Sequence, residues 1–470
     1  MKYFFIFLIA VLFSALSLLY LKTYQLKGYD INIYFNKIYS LGIFFRSKTP
    51  LKFTKRVCRM LFCILIFESL IWFLILYYVS VWWIILLDLI VNLIFLPFLL
   101  IVFHYFLYPI EFFIKKKYLS KAKKKLKNFK GIKIAITGSF GKTSTKNILK
   151  EILSQKYKVV STPLNYNTPM GLCKTILGEM VGDEGIFIVE MGARHKGDIK
   201  ELCQIVEPDI GILTSVGEQH IETFGSIDNV LATKFELCEY LSPTKVCFFD
   251  CCSGYNKKLF KKATCKKIAL GKEYEIKNSK LSSKGLEFNL KSKNEELVLN
   301  TKLLGFHMSK NIAISVMVAK YLNVSNAQIQ KAVENLKPTK HRLELISKGE
   351  LNILDDAYNS NYEGFCEALK VLKMFQGRKI VVSPGLVELG QKQYELNFKI
   401  GKQIAKSCDY VIIMNKINKI AIKNGLKSEN FNKNNIFYAQ TRGEQKDIVA
   451  KLISKQTSIL FENDLPDDYA

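Results

Sequence analysis

The stretch that decides the fold of this chain is IAITGSFGKTSTKNILKEIL, residues 134–153. It begins with a short apolar run that ends at a glycine, which is typical of a buried parallel strand. From Lys142 onward, isoleucine and leucine recur at 148, 149, 152 and 153, the spacing of an amphipathic helix. A strand, a glycine turn and a helix together create an anion site, because backbone N–H groups and the helix N-terminus point at the same place. The stretch therefore predicts a phosphate-binding loop.

This loop is shorter than the usual G-x-x-x-x-G-K-[ST] pattern. Ile136 stands where the first glycine of that pattern belongs, and only G-x-x-G-K-T remains. In such loops the lysine places a positive charge at the β- and γ-phosphates, and the following hydroxyl ligates Mg²⁺. We therefore assign these roles to Lys142 and Thr143. The predicted nucleotide-binding residues of the loop are Gly138, Ser139, Phe140, Gly141, Lys142, Thr143 and Ser144.

The length and the net charge of the chain limit the number of its domains and the class of its partners. A chain of 470 residues is too long for one core, so two or three domains are expected. The net charge is +27, and residues 1–130 hold 19 Lys and Arg against 4 Asp and Glu. Because these positive charges flank apolar runs, they indicate a membrane side rather than a nucleic-acid footprint, and we predict no nucleic-acid partner.

The first 130 residues read as a membrane anchor. Apolar runs at 3–21, 61–78 and 81–108 are long enough to span a bilayer. The first run lacks a small-residue cleavage site, so it predicts an anchor rather than a removed signal. Glu68 and Asp88 lie inside the later runs, where we expect them to face another helix or to sit near an end. The alternative is a buried hydrophobic domain.

The basic segments fix the predicted orientation. Residues 22–59 and 115–130 are rich in Lys and Arg, and both are expected on the cytoplasmic side. The prediction is a multi-pass protein of the bacterial cytoplasmic membrane, with three spans and with its catalytic domains in the cytoplasm.

The eleven cysteines contain no C-x-x-C pair. Cys247, Cys251, Cys252 and Cys265 cluster along the sequence, which leaves a zinc site open as one interpretation. Reduced free thiols are the interpretation that a cytosolic domain favours.

Two further apolar strands, at 186–189 and 210–214, each end in polar residues. Ligands in open α/β sheets gather beyond the carboxyl ends of the strands, so Glu190 is a candidate Mg²⁺ ligand. A salt-bridged residue at the rim is the alternative for Glu190. His220 lies a few residues past the second strand. Lys234 and Glu236, taken by themselves, indicate only the solvated face of a helix.

The rest of the chain predicts the remaining architecture. Residues 265–300 alternate in polarity and predict antiparallel strands appended to the central domain. Short apolar strands in LNILDDAYNS, RKIVVSPG and DYVIIMN alternate with helical stretches, which is a Rossmann-like pattern without a G-x-G-x-x-G dinucleotide motif. The predicted fold is α/β: N-terminal transmembrane helices (1–130), a central P-loop ATPase domain with a parallel sheet (131–336) and a C-terminal Rossmann-like domain (337–470).

Seven motifs occur in order at fitting distances: TGSFGKTSTK, STPLNYNTPMG, VEMGARHKGDI, TSVGEQHIETFGS with ATKFE, LLGFHMSKNIAIS, HRLELI and LDDAYNSN. Over about residues 131–470 the chain thereby resembles the Mur ligases, the ATP-dependent amide-forming enzymes of peptidoglycan synthesis, which carry the short form of the loop. DDAYNSN is close to the D-D-x-Y-N-A-N of the branch that adds D-alanyl-D-alanine to UDP-N-acetylmuramoyl-tripeptide.

The resemblance implies roles for individual residues. Lys142 and Thr143 would hold phosphates and one Mg²⁺, Glu190 and His220 would ligate two Mg²⁺ ions, and Lys234 would react with CO₂ to become a metal-ligating carbamate. The catalytic set would be Lys142, Lys234, His220 and Arg342.

Further implied contacts concern the nucleotide and the substrate. Asn311 would read the adenine, and Arg342 and Asp356 would touch the γ-phosphate and the ribose of ATP. Asn165 and Asn167 resemble the asparagines of the substrate loop.

The implied reaction activates a carboxylate as an acyl phosphate, which the amine of D-alanyl-D-alanine then attacks. The implied partners are a UDP-muramoyl-peptide, the dipeptide, the membrane and other enzymes of cell-wall synthesis. Two departures from the family matter: membrane spans replace the compact N-terminal domain, and SPGLVELGQKQYELN replaces G-D-M-x-E-L-G. Two alternatives to this function therefore stay open. The chain could be another amide ligase of the superfamily, or a membrane scaffold with an inactive ligase domain.

Overall fold

The computed structural model describes residues 2–26, 28–31, 34–35, 50–78, 82–164, 166–217, 221–252, 254–358 and 360–464. The chain forms two compact units, and the boundary between them lies between Lys117 and Tyr118.

The first unit is helical. Its helices are α1 (Lys2–Leu26), α2 (Lys55–Tyr78) and α3 (Trp82–Lys127), the last of which continues into the second unit. Tyr24, Met60, Ile64 and Leu100 are buried together in its core. Among the residues that the structure describes, one helical stretch, Phe95–Lys127, is long and apolar enough to cross a membrane. The three-span topology therefore stays a prediction.

The two acidic residues of the predicted spans differ in what can be said of them. Glu68 on α2 is buried, as expected for a carboxyl that faces another helix. The side chain of Asp88 lies outside the described part of the chain.

The second unit contains two sheets. The first has nine strands in the order β2-β3-β1-β4-β5-β6-β7-β8-β9. Its strands are β1 (Ile132–Thr137), β2 (Val159–Ser161), β3 (Ile186–Glu190), β4 (Ile210–Leu213), β5 (Val246–Asp250), β6 (Lys266–Leu270), β7 (Tyr274–Ser282), β8 (Gly285–Ser292) and β9 (Glu296–Thr301). Strands β1 to β6 pair in parallel, and β7 meets β6 in parallel at one position. Strands β7, β8 and β9 pair with one another as an antiparallel extension. The predicted antiparallel strands are thus confirmed from 274 onward, whereas β6 joins the parallel part of the sheet.

Helices cover this sheet. They are α4 (Lys142–Leu153), α5 (Pro169–Gly178), α6 (Asp198–Val206), α7 (Ile221–Phe224), α8 (Ile227–Tyr240), α9 (Gly254–Lys262), α10 (His307–Tyr321) and α11 (Asn326–Glu334). Ile134 and Ile136 of β1 pack in a cluster with residues of α4 and α10, while Ala135 belongs to a different cluster that includes residues of α5 and α6. Successive side chains of a strand point to opposite faces, so β1 is buried on both.

The second sheet has six strands in the order β10-β11-β15-β12-β13-β14. Its strands are β10 (Glu344–Lys348), β11 (Leu351–Asp356), β12 (Arg378–Ser383), β13 (Tyr410–Met414), β14 (Ile436–Ala439) and β15 (Thr457–Glu462), with α12 (Tyr362–Lys373), α13 (Gln393–Ala405), α14 (Lys419–Ser428) and α15 (Arg442–Leu452). Only the edge pair β10–β11 is antiparallel. The two sheets lie on either side of the predicted boundary at 336 and 337, and both are of the predicted α/β type.

The cysteines do not form a metal centre. All eleven are free, and Cys247, Cys251 and Cys265 are buried. Within the described ranges no group of three His, Cys, Asp or Glu side chains is arranged to hold a metal ion, so the zinc interpretation has no support.

Candidate active site

The phosphate-binding loop joins β1 to α4 and depends on two glycines. Gly138 has φ +148°, and a Cβ there would lie 2.1 Å from the hydroxyl oxygen of Thr214. Gly141 has φ +81°, and its Cβ would lie 2.5 Å from Oδ1 of Asn311. Both positions are therefore closed to any larger residue, by backbone conformation and by space. The loop backbone is held close to β4 and α10.

Lys142 begins α4 and folds back over the loop. Its Nζ donates to the carbonyl oxygens of Gly138 at 2.7 Å and Ser139 at 2.9 Å. Burial, with a smaller contribution from the positive charge of Arg342, lowers the pKa of Lys142 to about 8, while Glu190 opposes the shift. A lysine that replaces lost hydration with carbonyl oxygens can exchange those weak partners for the oxygens of a phosphate.

Glu190 ends β3 and is 2% exposed. Its Oε2 accepts from the Thr143 hydroxyl at 2.9 Å and lies 3.5 Å from Nζ of Lys146, and its Oε1 accepts from Nδ2 of Asn167 at 3.2 Å. The register Ile136↔Glu190 between β1 and β3 explains this meeting, because both strands end beside the loop. The ion pair suggested for Glu190 is present, and it is buried rather than at the rim.

Lys146 is the site residue that reasoning from the sequence missed. It is 1% exposed, and its Nζ also donates to the carbonyl oxygen of Leu164 at 2.6 Å. Burial lowers its pKa, while Glu190 opposes the shift. The signal was available: Lys146 follows Thr143 by three residues, which places both side chains on one face of α4.

Lys234 and Glu236 of α8 correct the expectation of a solvated helix face, because both are buried. Glu236 accepts from the backbone N–H groups of Gly197 and Lys200, at 2.7 and 2.9 Å, at the start of α6. The Lys234 ammonium lies 5.9 Å from the ring centroid of Phe224. It forms no ion pair among the described residues, although the charges of Asp198 and Glu236 act on it. Burial, with a smaller contribution from Lys142, lowers the pKa of Lys234 to about 7.

The second sheet supplies the opposite wall. The Arg342 guanidinium lies 4.2 Å from the ring centroid of Tyr358, and the backbone N–H of Leu343 donates to Oδ1 of Asp356 at 3.1 Å. Burial raises the pKa of Asp356 to about 6, although Arg342 opposes the shift. Arg342 and Asp356 therefore belong to the same wall, and their contacts with a nucleotide stay predictions.

These groups surround one cavity of about 1040 Å³. Its lining includes the predicted residues Ser139, Phe140, Gly141, Lys142, Thr143, Ser144, Asn167, Glu190, Lys234, Asn311, Arg342 and Asp356. Gly138 is the one predicted loop residue that is not in the lining, but its carbonyl oxygen contacts Lys142. His220 and Asn165 lie outside the described residues, so their roles stay predictions.

Comparisons with known proteins show that the chain is similar to Mur ligases. Residues 136–319 match the Mur ligase middle domain. The UDP-N-acetylmuramoyl-tripeptide–D-alanyl-D-alanine ligase of Bacillus subtilis (strain 168) is 27% identical over 337 residues, which cover 70% of this chain and 72% of that protein. The protein of the same name from Buchnera aphidicola is 28% identical over 347 residues, covering 69% and 75%. The crystal structure of the MurF ligase from Thermotoga maritima in complex with ADP superimposes with a TM-score of 0.66 at 25% identity, covering 74% of this chain and 80% of that one.

Proposed function

We propose that this chain, which belongs to the Mur ligase family, uses ATP to join the carboxyl group of UDP-N-acetylmuramoyl-tripeptide to the amino group of D-alanyl-D-alanine. The observation that carries the proposal is the single cavity in which Lys142, Glu190, Lys234 and Arg342 converge from both sheets. The two relatives described above, both named UDP-N-acetylmuramoyl-tripeptide–D-alanyl-D-alanine ligase, align over about 70% of the chain. The product would be a peptidoglycan precursor.

The side chains fit the first step, in which a substrate carboxylate oxygen attacks the γ-phosphorus and ADP leaves. Negative charge builds up on the phosphate oxygens during this transfer. Lys142 and Arg342 line the same cavity and are positioned to face that charge from opposite walls. In the second step the amine attacks the acyl phosphate carbon and phosphate leaves, so the same two cations stabilise both steps.

Magnesium fits the donors at the loop. The Thr143 hydroxyl and the Glu190 carboxylate are hard oxygen donors that already touch each other at 2.9 Å. Bound there, Mg²⁺ would neutralise part of the triphosphate charge. Lys146 holds the Glu190 carboxylate with a positive charge and Asn167 orients its other oxygen, so the carboxylate is fixed before a metal arrives.

A carbamate on Lys234 is part of the proposal. The neutral amine would attack CO₂ and lose one proton, which would give an anionic carbamate whose oxygens could hold a second Mg²⁺. A buried lysine without a carboxylate partner among the described residues, whose pKa falls to about 7, is neutral for a large fraction of the time at physiological pH. That state is the one that reacts with CO₂.

We also place the protein at the cytoplasmic membrane through its first unit. That unit exposes many large apolar side chains along α2 and α3, including Phe62, Phe73, Tyr105, Phe106 and Phe113, each more than 60% exposed. Water does not favour such a surface, whereas lipid does. The Lys and Arg near the ends of these helices supply the cytoplasmic anchor charges.

The function is tested by phosphate release from the detergent-purified chain with ATP, Mg²⁺ and UDP-muramoyl-tripeptide. D-Alanyl-D-alanine should stimulate release more than single amino acids or other dipeptides. Lys150→Ala, on the same helix as Lys142, is the matched control and should keep the wild-type rate of phosphate release. A faster rate with another amine would assign a different ligase of the superfamily, and no amine-dependent release would favour the inactive scaffold.

The membrane orientation is tested with a native thiol. Cys58 is exposed within the basic segment 22–59. An impermeant maleimide should label it only after cells are opened, with Cys58→Ser as the control. Labelling of Cys58 in intact cells would contradict the orientation.

A further inference from the structure

Glu462, the last residue of β15, is wholly buried behind the wall of the cavity. Parallel pairing places it opposite Asp356 at the end of β11. The Ser360 hydroxyl donates to its Oε1, and the backbone N–H of Asn463 donates to the carbonyl oxygen of Asp356 at 3.1 Å. Asp356 and Ser360 line the cavity, so Glu462 supports two cavity residues without reaching the cavity itself.

The paired end positions of β11 and β15 place the Asp356 and Glu462 carboxyl groups beside each other, and the charge of Asp356 opposes ionisation of Glu462. An ionised carboxylate can only accept a hydrogen bond. No N–H or O–H donor in the described part of the chain reaches Oε2 of Glu462. A buried carboxylate oxygen with no donor is costly, whereas a protonated one donates to its neighbour and satisfies both groups.

We propose that Glu462 is a positioning residue that works as a neutral carboxylic acid, sharing its proton with Asp356 and so holding Asp356 and Arg342 in place for the nucleotide. The inference rests on the proposed function only in requiring that the cavity binds ATP.

The charges around the pair favour this state. Arg342 faces both carboxyl groups, Asp355 adds a negative charge from β11, and the Cys366 thiol faces Glu462 from α12. With one proton, the pair carries a single negative charge, which Arg342 balances. Without it, two negative charges compete for one guanidinium that the triphosphate also needs.

The direction of the pH effect follows. Burial raises the pKa of Asp356 to about 6 and the pKa of Glu462 well above its usual range. The shared proton is therefore retained at neutral pH and lost as the pH rises through the raised pKa. Above that pH the extra negative charge should draw Arg342 away and weaken nucleotide binding.

Glu462→Gln separates the neutral acid from the anion. The amide nitrogen can donate to Asp356 and the amide oxygen can accept from Ser360, so glutamine imitates the protonated side chain at every pH. Calorimetry with the Mg²⁺ complex of a non-hydrolysable ATP analogue, from pH 6 to 10, gives the ratio of wild-type to variant Kd. Other groups that titrate in both proteins cancel in this ratio. Glu350→Gln, at an exposed turn of the same sheet, is the control.

The ratio should rise by about tenfold at alkaline pH, within the range common for linked equilibria. A ratio that stays constant with pH would overturn the inference, and so would a Glu462→Gln protein that binds as weakly at pH 7 as Glu462→Ala. If Glu462→Gln does not fold, infrared spectra of the wild-type protein decide. A protonated carboxyl band should disappear at the pH midpoint where affinity falls, and a band that is absent or unchanged there would refute the proposal. Nucleotide binding needs neither the acyl nor the amine substrate, so a wrong amine leaves this test valid.

Discussion

Replacing Lys146 by methionine should destabilise the second unit, because the change leaves Glu190 buried without its cation. Methionine keeps most of the aliphatic volume, so the change removes the charge and the hydrogen bond to Leu164 while adding little cavity. The Glu190 side chain is 2% exposed and that of Lys146 is 1% exposed, so water cannot replace the lost partner.

The expected cost is set by burial. Removing one partner of a buried ion pair costs about 3–5 kcal/mol, because the other charge remains uncompensated. Glu190 would keep the hydrogen bonds from Thr143 and Asn167, so the lower end, ~3 kcal/mol, is expected. The double variant Lys146→Met/Glu190→Gln removes both charges. It should therefore be destabilised by less than the sum of the two single changes.

Urea denaturation of the purified chain measures these effects as shifts of the unfolding midpoint. Lys150→Met, on the same helix and partly exposed, is the matched control and should change the free energy of unfolding by less than about 0.5 kcal/mol. Saturating Mg²⁺ should recover part of the loss in Lys146→Met, since a cation beside Glu190 replaces the missing ammonium. If Lys146→Met were as mild as the control, or if the double variant were strictly additive, the buried-pair reasoning would be refuted.

Further predictions concern catalysis and ligand binding. Lys142→Ala should keep its fold yet lose more than tenfold in phosphate release, a factor of ~1.4 kcal/mol, because it removes a charge at the migrating phosphoryl group. Lys234→Ala should be nearly inactive and partly rescued by formate or acetate, whereas Lys234→Arg should stay inactive; full activity of either would exclude the carbamate. Gly141→Ala should weaken nucleotide binding in calorimetry, since the added Cβ lies 2.5 Å from Oδ1 of Asn311. Nucleotide binding near pH 8 should take up protons, measured in buffers of different ionisation enthalpy, because phosphate would raise the Lys142 pKa from about 8; proton release would contradict this.

The sequence predicted the site best where local pattern and sheet topology act together. The glycine turn after β1 and the carboxylate that ends β3 are predicted from separate stretches of sequence. Parallel pairing of Ile136 with Glu190 brings the ends of those strands together, and Thr143 contacts Glu190 as a result. The rule that ligands gather at the carboxyl ends of parallel strands needs no side-chain detail, so the strand pattern alone is enough to apply it.

Burial of charged side chains was harder to predict, because it depends on partners that are distant in sequence. Lys146, Lys234 and Glu236 each look like solvated helix residues, yet each is buried by a neighbouring element. Lys234 was assigned a role by family resemblance alone. Glu462 could have been found by the argument that found Glu190, since it too is an acidic residue that ends an apolar strand.

Burial, together with the crowding of positive charge in the cavity, shifts the pKa of several of its groups. Burial removes water from Lys142, Lys234 and Arg342, and this loss of hydration lowers the pKa of all three side chains. A protein without a ligand gains nothing by crowding these cations, because each repels the others in a medium that screens poorly. A triphosphate reverses that balance by supplying the anions that the lysines lack. The three cations that repel one another in the free protein would therefore stabilise the negative charge of the transition state once nucleotide is bound.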